Sequence, residues 1–158
     1  MSENVTVTSI EALKEVIGRE IGVSDWLEIT QERVNLFADA TGDHQYIHVD
    51  PDRAAQTFFG GTVAHGYLTL SMIPELNKTR TGIQIDLGGK MAVNYGLNKV
   101  RFPNPVRVGK RIRVRSTLLD VQEIGEQAVQ MTYQQTVEVE GEEKPACVAE
   151  TLSRIYFA

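Results

Sequence analysis

One cysteine stands in this 158-residue chain, Cys147, so no intrachain disulfide can form and a reducing, cytoplasmic setting is expected. No apolar run approaches the roughly 20 residues that a membrane-spanning helix needs, so no membrane partner is expected. Residues 1–6, Met-Ser-Glu-Asn-Val-Thr, lack the basic start and apolar stretch of a secretory signal. Basic residues are in the minority, 16 against 21 acidic ones, and the net charge of −5 argues against general nucleic-acid binding. Repeats, low-complexity tracts and interdomain linkers are missing as well. What is present, 42% hydrophobic and 23% charged residues, suits a single soluble domain over 1–158 with a sizeable core.

The basic residues are unevenly placed. Lys99, Arg101, Arg107, Lys110, Arg111, Arg113 and Arg115 follow one another with no acidic residue between them. Arg111, Arg113 and Arg115 alternate with Ile112 and Val114, which reads as a solvated strand face. The same run also reads as a phosphate-binding rim on an acidic protein. Cys147, inside Pro145-Ala146-Cys147-Val148-Ala149, reads as core packing rather than as a reactive thiol.

Along the chain the patterning is helical first and strand-like later. Ser9 can cap a short helix over 10–17, part of an N-terminal helical extension over 1–23. A strand-like piece covers 26–29. Thr30 caps a helix over 31–40 with Val34, Phe37, Ala38 and Thr41 on one stripe, and Gly42 stops it. Residues 43–51 read as a loop, because Asp50 precedes Pro51. A short helix over 52–57 and a turn at 58–61 follow. Residues 65–76 are apolar nearly all round and so predict a helix buried by other elements. Strands are expected over 91–102, 106–119, 130–140 and 144–157, with a clean period of two in the third. The expected fold class is α+β, a sheet curled around a central helix.

Chemistry concentrates in Thr41-Gly42-Asp43-His44-Gln45-Tyr46-Ile47-His48-Val49-Asp50-Pro51 and in Ala64-His65-Gly66. A carboxylate near an imidazole can position and activate water. A helix N-terminus can hold a developing negative oxygen. Together these suggest addition or removal of water next to a carbonyl. Gly66 suits close approach to a backbone N–H because it has no side chain.

These residues resemble a known family. Phe37-Ala38-Asp39-Ala40-Thr41-Gly42-Asp43, Ile47-His48-Val49-Asp50-Pro51 and Ala64-His65-Gly66 are similar to the MaoC-type (R)-specific enoyl-CoA hydratases, or hydratase 2. Asn94-Tyr95-Gly96-Leu97-Asn98-Lys99-Val100-Arg101-Phe102-Pro103-Asn104-Pro105-Val106, with Gly109, is similar to their second block. The likeness spans about residues 24–157, and the N-terminal extension brings the chain closer to the NodN-like branch. It implies a hot dog fold, a homodimer, a 2-enoyl thioester substrate and a place in fatty acid metabolism. It also implies Asp43 and His48 as the catalytic pair and Gly66 as the oxyanion donor. Asp43 is then the general base, and His48 orients the water and shares the proton transfers. Acyl-CoA is the expected carrier, its phosphates drawn to the basic run, with acyl carrier protein as the other possibility. No cofactor is expected, because water is the second substrate.

Around that pair, His65 is read as capping or positioning the helix start. Tyr67, Leu68 and Met72 belong to the core or line an acyl tunnel, and Asn94, Tyr95, Gly96 and Asn98 sit at the pocket mouth or on a strand edge, beside Lys99 and Arg101. His44 and Asp50 read as loop polar residues. Spacing alone also offers Asp43, His44, His48, Asp50 and His65 to a metal, but Gly42 and Pro51 oppose the helical loop that would align His44 with His48, so none is expected. Two other functions fit the same motifs, an acyl-CoA thioesterase whose water attacks the carbonyl carbon, and a non-catalytic acyl-thioester binding module.

Overall fold

The computed structural model describes residues 4–158; the first three positions of the expected N-terminal extension lie outside the described residues. The element order is β1 (Val5–Val7), α1 (Ile10–Glu15), β2 (Glu20–Val23), β3 (Leu27–Glu28), α2 (Gln31–Thr41), α3 (Tyr46–Val49) and α4 (Pro51–Ala54). It continues with α5 (Gly66–Ser71), α6 (Ile73–Asn77), β4 (Thr81–Ile85), β5 (Met91–Arg101), β6 (Arg111–Ile124), β7 (Ala128–Val139) and β8 (Cys147–Tyr156). One curved sheet runs in the order β1-β4-β2-β6-β7-β8-β5, with β3 added to β6. Among the described residues only β1 and β4 pair in parallel; the other pairings are antiparallel.

The local causes are plain at the helix ends. The Ser9 hydroxyl accepts from Ala12 N at the start of α1, and the Thr30 hydroxyl accepts from Arg33 N at the start of α2. Gly42 closes α2 in the left-handed region at φ 84°, which glycine reaches without a side-chain clash. Val34 and Ala38 of α2 are fully buried, but Thr41, expected on the same stripe, is exposed and bonds back to Phe37 O.

The long helix expected over 65–76 is two pieces meeting at Met72. Pro74 has no N–H to give to the carbonyl four residues back, and its ring crowds that carbonyl. Nor is it buried all round. Leu68, Thr69, Met72, Ile73 and Leu76 are enclosed, whereas Tyr67 is 71% exposed. The enclosed stripe packs on Val114 of β6, Val137 and Val139 of β7, and Cys147 and Ala149 of β8. A second apolar cluster joins Leu13 and Val16 to Ile21, Leu118, Val129 and Met131. It ties the N-terminal segment to the sheet, and that segment adds two strands, β1 and β2, to the helix expected there.

Other boundaries moved for local reasons. Residues 43–51 contain one helical turn, α3, and the helix expected over 52–57 begins instead at Pro51, capped by the Asp50 carboxylate. The strand expected from residue 106 starts at Arg111, because Gly109 turns the chain at φ 94°, and it runs on to Ile124. Among the described residues no helix is long and apolar enough to cross a membrane.

Candidate active site

Asp43 lies just past the end of α2, His48 on the one-turn α3, and His65 and Gly66 at the start of α5. The fold brings these segments together. Val63 N donates to Ile47 O at 3.0 Å, and Ala64 N donates to Val106 O at 2.8 Å, fixing the strand that leads into α5 against α3. As a result one side-chain ligand atom from each of Asp43, His48 and His65 lies within 4.8 Å of the others. Two hydrogen bonds of about 2.8 Å through one bent water span such a gap.

The histidine protonation follows from their neighbours. His48 Nδ1 sits 2.7 Å from Val63 O, and a carbonyl only accepts, so Nδ1 carries the proton and Nε2 the lone pair. Burial holds the His48 pKa below the ordinary 6.5; the Val63 carbonyl opposes this, and the neighbouring His65 adds to it. His48 is therefore a neutral imidazole at pH 7 with an accepting Nε2. His65 Nε2 donates to Asp43 O at 2.9 Å, which ties the end of the Asp43 loop to the start of α5. His65 also stacks on His48 at 3.8 Å between centroids, with Phe37 on it at 4.9 Å. Its Nδ1 is enclosed without a partner.

The same geometry is a poor seat for a metal ion. The His48 and His65 rings lie at only 22° to one another, and imidazole lone pairs lie in the ring plane. Stacked rings send them side by side instead of toward one point. His44 is not part of the cluster; its Nε2 lies 2.9 Å from Asp39, a contact that raises its pKa.

Gly66 is the first residue of α5, and the first amide bonded within that turn is Leu68 N, to His65 O at 3.0 Å. The earlier amides of a helix have no intrahelical acceptor, so Gly66 N–H is of the kind that can bind a substrate oxygen. A Cβ on Gly66 would stand 3.2 Å from the Phe102 ring, and Tyr67 meets the same ring edge-on at 6.1 Å.

A cavity of about 690 Å³ opens beside this cluster, between α5–α6 and the inner face of β5, β8 and β7. Three of the residues expected at the pocket mouth, Asn94, Tyr95 and Gly96, line it. Asn98, Lys99 and Arg101 do not. Asn98 donates to Glu150 at 2.7 Å, and Arg101 folds back on Val100 O at 2.8 Å. Asp43, His48 and Gly66 are outside the cavity lining, which begins on α5 at Leu70, one turn beyond Gly66. No sequence motif points to the lining residues Asn77, Arg80, Tyr133 and Gln135, which come from elements distant along the chain.

Part of the basic run is neutralised. Arg113 and Arg115 pair with Glu138 at 3.4 and 2.9 Å, Arg115 also pairs with Glu20 at 2.7 Å, and Arg111 pairs with Glu140. For these three the solvated strand face holds, with Ile112 and Val114 fully buried beneath. Cys147 is fully buried, and burial pushes its thiol up to about 11.

A family model described as "MaoC like domain" matches residues 12–140. The chain is 55% identical over 149 residues to 3-hydroxyacyl-thioester dehydratase Z of Mycobacterium tuberculosis, covering 94% of this chain and 97% of that protein. It is 46% identical over 142 residues to Nodulation protein N of Rhizobium leguminosarum bv. viciae, covering 89% and 87%. Among solved structures it is similar to the (R)-hydratase from A. caviae involved in PHA biosynthesis. That match has a TM-score of 0.66 and 24% identity, over 86% of this chain and 96% of that one, a likeness of fold alone.

Proposed function

The chain belongs to the MaoC-like dehydratase family, and we propose that it hydrates trans-2-enoyl-CoA reversibly to the (R)-3-hydroxyacyl thioester. The observation that carries this reading is the neutral His48, with Nδ1–H fixed on Val63 O and Nε2 left to accept beside Asp43. Water held there donates one proton to the Asp43 carboxylate and the other to Nε2, which turns an oxygen lone pair toward C3. As the C3–O bond forms, Asp43 takes the proton and electron density moves onto the thioester oxygen. The Gly66 N–H receives that oxygen; one such donor is worth on the order of 3 kcal/mol in the transition state. The proton then passes to C2 from the same side, which gives syn addition, and the reverse sequence removes water. His65 positions both partners through its stack on His48 and its bond to the Asp43 carbonyl.

The rest of the reading concerns assembly and carrier. Strand β5 is the edge of the sheet and exposes Met91, Tyr95 and Leu97, with Phe102 just beyond and Tyr67 nearby on α5. An exposed apolar edge calls for a cover, and a second copy is the cover in this reading, which is a homodimer. Lys99 and Arg101 of β5 then stand at the mouth, where the CoA phosphates lie. Acyl carrier protein would present its phosphopantetheine at the same place.

The test is loss of enoyl absorbance with crotonyl-CoA and a longer trans-2-enoyl-CoA, with product chirality assigned. Wild type is expected to form the (R)-alcohol, and Asp43→Asn and His48→Gln each to lose at least a hundredfold in kcat/KM. Folded wild type that leaves both thioesters unchanged would refute the hydratase. Thiol release from saturated acyl-CoA would point to a thioesterase instead.

A further inference from the structure

The cavity is not uniform. Leu70, Ile73, Pro74, Ala92, Leu97 and Leu152 line it, apolar side chains that suit an alkyl chain, with the polar Ser71, Asn94, Thr151 and Ser153 among them. Its lining also includes Asn77, Arg80, Tyr133 and Gln135, from the end of α6 or just past it, and from β7. Asn77 Oδ1 receives Arg80 Nη1 at 3.4 Å and lies 3.1 Å from Ser116 Oγ, which in turn meets Gln135 Oε1. Arg80 Nη2 donates to Ile83 O at 3.0 Å.

Arg80 is the odd member of this group. Its guanidinium stays charged, yet its hydrogen-bond partners are a neutral amide and a backbone carbonyl, and its Nε is enclosed with no acceptor. No carboxylate among the described residues pairs with it. Tyr133 supplies no anion, since burial pushes its phenol up to about 12. Enclosed cations are ordinarily paired, because an unpaired one loses its hydration without return. A half-buried cation without a counter-charge, lining a cavity that also holds apolar side chains, fits a ligand that brings the counter-charge on an alkyl chain. The reach is suitable, since Gly66 to Asn77 spans about 16 Å along the helices.

We propose that this cavity selects acyl chains carrying a carboxylate at the far end, with Arg80 as the residue that receives it and the Gln135 amide as a supporting donor. This rests on the hydratase reading above, and it extends that reading from enoyl thioesters in general to the mono-CoA esters of enedioic acids. The ω-carboxylate would accept from Arg80, while C2 and C3 lie at Asp43, His48 and Gly66.

The test compares kcat/KM for matched pairs, from hexenoyl to dodecenoyl-CoA, each with its ω-carboxy counterpart. At the chain length that fills the cavity, wild type should prefer the ω-carboxy substrate by tenfold or more. Arg80→Met should reverse that preference, and Arg80→Lys should retain it. Preference for the methyl-ended chain at every length, or a ratio that Arg80→Met leaves unchanged, would overturn the proposal. If Arg80→Met does not give a folded protein by its melting curve, the wild-type ratio and Arg80→Lys decide. If wild type hydrates no thioester, the hydratase reading has failed on its own. Calorimetric binding of decanedioyl mono-CoA against decanoyl-CoA then settles the pocket, tighter binding of the diacid supporting it and equal or weaker binding refuting it.

Discussion

In the proposed mechanism His48 works only while Nε2 is unprotonated, and its surroundings keep it so to lower pH than a free imidazole. Its pKa is lowered from 6.5, so the acid limb of kcat/KM should fall below pH 6.5 and should be absent from the residual activity of His48→Gln. A pH–rate profile of the two proteins checks this. The stability linkage has the same sign. Between the lowered folded value and 6.5 the unfolded chain binds more proton than the folded one, so this contribution to stability is present above pH 6.5 and is lost as pH falls through that window. Asp43, His48 and Gly66 were legible in the sequence because each lies in a short local motif. The carbonyl that sets the tautomer was not, because Val63 contributes only its backbone, and any residue type could have stood there.

At the level of elements, the crossing of β2 and β4 is where the backbone is tightest. Gly22 has φ 151°, and a Cβ there would stand 2.0 Å from Thr81 O; Gly82, its partner in the register, faces Ile21 O at 2.5 Å. Both contacts are with backbone, so no side chain can swing aside. Gly22→Ala should cost on the order of 2–4 kcal/mol, read as a lower chemical-denaturation midpoint, with the Asp43–His48 cluster unchanged in any protein that remains folded. Strands β1, β2 and β4 were the parts of the sheet that sequence patterning missed, β1 being only three residues long; for β2 and β4 the cause is length and composition. Each is four or five residues with one glycine, too short for a period of two to stand out. The long β7 announced itself because Met131, Tyr133, Val137 and Val139 stand at odd positions with polar residues at the even ones between them. The break in the central helix was foreshadowed by Pro74, yet the apolar count of that segment concealed that one face, at Tyr67, lies open.

For the whole molecule, the edge strand β5 lines the cavity with Ala92, Asn94, Tyr95, Gly96 and Leu97 and is also the face assigned to a second copy. Leu97 is 49% exposed on that edge. Leu97→Lys should therefore move sedimentation from dimer to monomer and lower turnover along with it. A monomeric variant with full activity would separate assembly from catalysis. The feature with the widest reach is the α5–α6 rod, which offers the Gly66 amide at one tip and Asn77 at the other while Leu70, Ile73 and Pro74 wall the space between. Under the proposed function it is a ruler with its zero at the reacting carbonyl. Where the reaction happens and how long a chain is accepted would then be marks on the same scale, and a change in the rod would move both.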